Sequence, residues 1–157
     1  MKVVISGQNP EDRLPQFHYL RKQLDSHLKP LSLPKERIFD IRLAADELVT
    51  NPFKHNEGET KIVFFAHIDL LHGTMAFAVK SRGYEQERNR QEIQNALVHN
   101  VPAALDAENK RGLYLVRNLL PGARFSIEFG LVAVAFPICP LLAQSSKPKS
   151  RDRTRRV

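Results

Sequence analysis

Glu47, Asn51 and His55 recur every four residues within the stretch Ile41-Arg42-Leu43-Ala44-Ala45-Asp46-Glu47-Leu48-Val49-Thr50-Asn51-Pro52-Phe53-Lys54-His55. On an α-helix that spacing stacks the three side chains on one face over two turns. A carboxylate, a carboxamide and an imidazole in a row suit a metal–phosphate site. The carboxylate can orient or deprotonate a hydroxyl nucleophile, and the amide oxygen can ligate a hard cation. A plain solvated helix face carries the same residues, and spacing does not choose between the two. Two glycine-bearing segments downstream add candidates: Ser81-Arg82-Gly83 after a strand pattern, and Lys110-Arg111-Gly112-Leu113 at the entry to a helical one.

The elements that must position these groups follow from the hydrophobic pattern. Lys2 to Ser6 reads as an opening strand and Gly7-Gln8-Asn9-Pro10 as a turn. Asp12 is a candidate N-cap, followed by Leu14, Phe17, Leu20, Leu24 and Leu28 at spacings of three and four, which predicts a helix ending before Pro30. A second helix spans Pro34 to His55, with Ile41, Ala45, Leu48 and Pro52 at helical spacing, flanked by Leu43 and Val49. Pro52 removes a backbone donor and disfavours helical geometry at Asn51, so a kink or the start of unwinding is expected there. Asn56-Glu57-Gly58 supplies the stop.

Thr60 to Asp69 is β-branched and aromatic, Thr74 to Lys80 alternates, and His72-Gly73 lies between them, which predicts an antiparallel hairpin. Tyr84 to Lys110 is polar, with a short helical pattern over Gln91 to His99 and Val101-Pro102 beyond it. Arg111 to Leu120 has helical apolar spacing and ends at Pro121-Gly122. Ala123 to Phe129 and Leu131 to Ile138 alternate around Gly130 as a second hairpin. The order β-α-α-β-β-loop-α-β-β predicts an α+β fold. It is a two-layer sandwich with the helices on one face of a mainly antiparallel, mixed sheet.

The 157 residues suffice for one domain with a real core, and 42% hydrophobic content is ordinary for a soluble globular protein. The expected division is a domain over 1–140 and a basic, disordered tail over 141–157. From Gln144 onward the tail carries Lys147, Lys149, Arg151, Arg153, Arg155 and Arg156 against Asp152, most of the net charge of +7. It reads as a solubilising end. Nucleic acid is expected as a partner only through this tail, in which case removing it abolishes salt-sensitive binding. Cys139 is the only cysteine, which excludes an internal disulfide and fits a reducing compartment. It reads as a packed thiol. No apolar run approaches the roughly 20 residues of a membrane helix, and the first residues hold no apolar signal segment. No membrane partner and a cytoplasmic location are expected.

His18, His27, His67, His72 and His99 share no metal-ligand spacing and read as surface or boundary residues, while Tyr114 reads as a packing residue. Phe53, Phe64, Phe65, Phe77 and Phe125 read as core candidates rather than a base-stacking platform.

Three features stand in an order that resembles the Bergerat-fold ATPases, the superfamily of gyrase and the histidine kinases. They are Glu47-Leu48-Val49-Thr50-Asn51 on a helix, Ser81-Arg82-Gly83 after a hairpin, and Arg111-Gly112-Leu113-Tyr114-Leu115-Val116 after a long loop. Within the superfamily the chain looks most like the small anti-sigma-factor serine/threonine kinases, over nearly everything but the tail.

The resemblance implies a histidine kinase-like ATPase fold, ATP and magnesium as cofactors, and a homodimer that binds a sigma factor and an antagonist protein. It implies Asn51 as the magnesium ligand and Glu47 as the catalytic carboxylate that orients or deprotonates a serine hydroxyl. It implies Ser81 and Gly83 at the base and Lys110, Arg111, Gly112 and Leu113 at the phosphates, with free amides of a helix N-terminus facing the anion. Tyr84 to Lys110 would be the lid.

Three positions depart from the family pattern. Ser81 stands where the family has an aspartate that accepts from the adenine amino group. Asn109, Lys110 and Arg111 stand where it has further glycines, although the two cations could pair with phosphates. Pro52 follows Asn51 where the family has a small helix former. These departures define an alternative function: a degenerate, non-catalytic interaction module that has lost nucleotide binding.

Overall fold

The structure, a computed structural model, describes residues 1–56, 58–87, 90–91, 93–94 and 108–139; for His55 and 108–111 it describes the backbone alone. Five strands alternate with helices: β1 Lys2–Ser6, α1 Pro10–Leu28, α2 Lys35–His55, β2 Lys61–Asp69, β3 Thr74–Lys80, α3 Glu108–Leu119, β4 Arg124–Glu128 and β5 Leu131–Pro137. Short 3-10 turns lie at Lys29–Leu31 and Arg82–Glu85. The sheet order is β1-β2-β3-β5-β4. All four pairings are antiparallel, so the described sheet is antiparallel rather than mixed.

Period-2 alternation decides the sheet's two faces. Val3, Ile5, Ile62, Phe64, Met75, Phe77, Val79, Val132, Val134 and Phe136 point to one side and are buried. Phe64 and Phe77 meet with ring centroids 5.3 Å apart, and Phe77 and Phe136 at 5.2 Å. Each such side chain contributes roughly 1.5–3 kcal/mol by leaving water. Leu20, Leu24 and Leu28 of α1, Ile41, Ala44, Ala45, Leu48 and Val49 of α2, and Leu113 and Val116 of α3 belong to the same core. Gly130 closes the β4–β5 hairpin at φ 74°, a conformation an L side chain rarely adopts.

Several sequence expectations shift in detail. Helix α1 starts at Pro10, and Asp12 is not its cap. Its carboxylate instead accepts from the Asn9 N–H at 3.0 Å, as the inner member of a capping pair. Leu14 is 52% exposed, whereas Arg13 is 8% exposed with its guanidinium 4.1 Å from the Phe53 ring centroid. At 3.6 residues per turn, Arg13 falls between Leu20 and Leu24 on the helix wheel and Leu14 does not. Helix α2 does not unwind at Pro52. It runs on to His55, and the Asn56 N–H donates to the Pro52 carbonyl at 3.0 Å.

Among the phenylalanines, Phe64 and Phe77 are fully buried, Phe53 and Phe125 are partly buried, and Phe65 lies on the outer face. Tyr114 is 40% exposed, so it does not pack fully. His18, His27, His67 and His72 are exposed as expected. Most of the expected lid, His99, and the tail lie outside the described residues.

One buried cation ties the C-terminal strand to the helices. The Arg37 guanidinium donates to the carbonyls of Ile138 (3.0 Å), Leu119 (2.9 Å) and Pro137 (2.7 Å). It thereby satisfies acceptors at the ends of α3 and β5 that the helix and sheet leave open.

Candidate functional site

Adjacent acids on α2 take different roles because successive residues on a helix point about 100° apart. Asp46 turns toward α1, where Arg21 grips it with Nε at 3.1 and 3.0 Å from its two carboxylate oxygens. That fork fixes the α1–α2 pair. Glu47 turns the other way, toward α3. Among the described residues its cation is Lys54, 4.0 Å off with its side chain more than half exposed, a loosely held pair.

Asn51 lies one turn on and is 7% exposed. Among the described residues nothing hydrogen-bonds its carboxamide. Helix α3 crosses at this level with Gly112. A Cβ on Gly112 would stand 2.7 Å from Asn51 Oδ1 and 3.2 Å from Glu47 Oε2. Two oxygens, one neutral and one anionic, therefore face the same point. An uncommitted buried carboxamide and a carboxylate are the hard-oxygen donors that magnesium takes from protein, alongside phosphate oxygens. The residues present fit that ion.

Helix α3 begins at Glu108, three residues before the expected start. Gly112 is its fifth residue, so by the i→i−4 pattern its amide is committed within the helix. The amides without an i−4 carbonyl inside the described helix are those nearer Glu108. Leu113 is 4% exposed and packs into the core, so its side chain is not a ligand group. The side chains of Lys110, Arg111 and His55 lie outside the described residues.

At the other end of the site, Ser81 leaves β3 and caps the turn Arg82–Glu85, accepting from the Gly83 N–H at 3.1 Å. Ser81 is 3% exposed. Its hydroxyl donates to Glu59 Oε2 at 2.5 Å, and the Gly83 N–H also reaches that oxygen at 3.2 Å. A Cβ on Gly83 would overlap the Asn56 carboxamide. Gly83 is thus packed against the C-terminal end of the helix that carries Asn51. Asn56 follows Asn51 by five residues, about 7.5 Å of helix rise, so the Ser81–Gly83 turn and the Asn51–Gly112 crossing are two ends of one strip along α2.

Burial pushes the neighbouring Tyr84 phenol up, and the Glu59 charge adds to the shift. Glu59 and Asn56 belong to this site, and sequence reading missed both. Neither has a periodic relation to Ser81 or Gly83; only the fold brings them together. Among the described residues, no cluster of His, Cys, Asp and Glu has the makings of a metal centre built from those side chains alone.

The profile of the histidine kinase-like ATPase domain matches residues 11–125. No match is found among curated proteins. Among solved structures, the fold is similar to the RsbU and RsbW domains of Rv1364c from Mycobacterium tuberculosis, with a TM-score of 0.51 at 18% identity. That similarity covers 87% of this chain and 31% of the other, so the chain spans about a third of that protein's length.

Proposed function

The chain belongs to the histidine kinase-like ATPase family, and we propose that it is an ATP-binding regulator of the anti-sigma kinase type. In this reading it works in the cytoplasm as a homodimer, sequesters a sigma factor, and transfers a phosphoryl group to a serine of an antagonist protein. The observation that carries the reading is the convergence of Glu47 and Asn51 oxygens beside Gly112. Asn51 would hold magnesium, whose charge, when bound, offsets that of the triphosphate. Glu47, loosely paired and facing the same point, would orient the serine hydroxyl and accept its proton. Ser81 and Gly83 would meet the base. Lys110, Arg111 and the open amides near Glu108 would meet the phosphates. The shared fold with a structure that contains an RsbW domain agrees with this reading. No described helix is long and apolar enough to cross a membrane.

Titration with ATP, with and without magnesium, tests the proposal. Magnesium-dependent binding in the micromolar range is expected. Absence of heat at millimolar ATP overturns it.

A second reading is the non-catalytic interaction module. One observation favours it: helix α3 starts before Gly112, which withdraws the Gly112 and Leu113 amides from any phosphate. Under that reading no nucleotide binds and the partner surface alone acts.

A further inference from the structure

We propose that the sheet face turned away from the helices is a docking surface for an acidic amphipathic helix of a partner protein. This surface is separate from the Asn51–Gly112 site, and its role does not depend on nucleotide binding.

The strand registers place its residues. One row across the sheet reads Lys2, Phe65, Ala78 and Ala133, and the next reads Val4, Val63, Lys80 and Leu131. The buried residues of α1, α2 and α3 belong to the core on the opposite face. Here Val4 is 42% exposed and Phe65 37%, while Val63, Ala78 and Ala133 are half-buried. An open, contiguous apolar face marks an interaction surface. Its charges decide what kind of partner it fits.

Lys2, Lys61, Lys80 and Arg82 stand around Val63 and Phe65. Among the described residues none of these four cations forms an ion pair. The Lys2 ammonium lies over the Phe65 ring, 5.8 Å from its centroid. Two acids, Glu59 and Glu85, reach the same corner. One carboxylate oxygen of Glu59 is already taken by the Ser81 hydroxyl and the Gly83 N–H. On the far strand β4, Arg124 and Glu128 offset each other. Cations in excess around an apolar floor complement acidic side chains. They oppose a second copy of the same surface and the chain's own basic tail.

The shape suits a helix. Lys61 and Phe65 are four residues apart on β2, about 13 Å of strand, which matches roughly two to three helical turns. Ala76, Ala78, Ala133 and Ala135 form a low block beside Val63 and Phe65, so an apolar helix stripe can approach closely. Lys61, Val63, Lys80 and Arg82 also line a concavity of about 340 Å³, room for the acids that meet these cations.

The probes are two synthetic amphipathic helices with the same leucine stripe, one with glutamates on its polar face and one with lysines. Binding to the whole chain is read by fluorescence anisotropy and by NMR amide shifts, and circular dichroism confirms that each variant is folded. The glutamate peptide is expected to bind in the micromolar range, about tenfold or more tighter than the lysine peptide, and to weaken as salt rises. Its shifts should fall on β1, β2 and β3. Lys61→Glu combined with Lys80→Glu should reverse the preference between the peptides, a change that a merely structural role of the lysines would not produce. Magnesium–ATP binding by this double variant should match wild type. Absence of glutamate-peptide binding by the folded wild type, equal binding of both peptides, an unchanged preference in the double variant, or shifts confined to the helices overturns the proposal. Shifts on this face that arise from protein concentration alone, or with vesicles of anionic lipid but not with the glutamate peptide, also overturn it, by assigning the face to a second copy or to a membrane.

Discussion

The carboxamide oxygen of Asn51 lies 2.7 Å from where a Cβ on Gly112 would stand, so α2 and α3 meet there with room for hydrogen alone. Alanine at 112 is intrinsically the better helix residue by about 1 kcal/mol. The added methyl must nonetheless push the Asn51 amide aside. Gly112→Ala is therefore expected to keep the fold and to weaken magnesium–ATP binding by about tenfold or more. Calorimetry beside a thermal melt checks this. A variant that binds as wild type would show that the Asn51 amide can move without cost.

Arg37 presents the reverse case, a charged group whose work is structural. Its three bonds go to backbone carbonyls of Leu119, Pro137 and Ile138. Burial lowers its pKa from the ordinary arginine value, yet the guanidinium keeps its proton. Arg37→Met leaves those acceptors without partners and should cost roughly 2–4 kcal/mol of stability. Arg37→Lys should recover only part, because an ammonium lacks the planar fork. Urea unfolding of the three proteins measures both differences.

Tyr84 gives the fold an alkaline limit. Burial, with the Glu59 charge adding to it, holds the phenol above its ordinary value. From about pH 10 the unfolded chain releases this proton while the folded chain keeps it, so the folded state then binds more protons. Stability from this group is present below pH 10 and is lost as pH rises toward the folded value, by up to about 1.4 kcal/mol per pH unit. Tyr84→Phe should flatten that slope. Denaturant unfolding at about pH 9 and about pH 11 compares the two slopes.

The strands were legible because alternation is a local signal: β1 and β3 fall where their patterns place them, and the other strands within a residue or two. The Glu47–Asn51 face was legible for the same reason, as a fixed interval on one helix. The early start of α3 was not, because Glu108, Asn109 and Lys110 carry no apolar period. The inward turn of Arg13 was hidden by chemistry rather than position. A guanidinium can lie against the Phe53 ring, and a reading by hydrophobicity skips it. The Glu59–Ser81 bond joins residues 22 apart on different elements, and only sheet register brings them within 2.5 Å.

The most direct measurement compares wild type, Asn51→Ala and Glu47→Gln for magnesium-dependent ATP binding by calorimetry, with phosphoryl transfer to a serine-bearing protein acceptor read in parallel. The expected result is micromolar binding by wild type, a loss of about tenfold or more in Asn51→Ala, and binding without transfer in Glu47→Gln. Folded wild type giving no heat at millimolar ATP, or Asn51→Ala binding as tightly as wild type, would contradict the account.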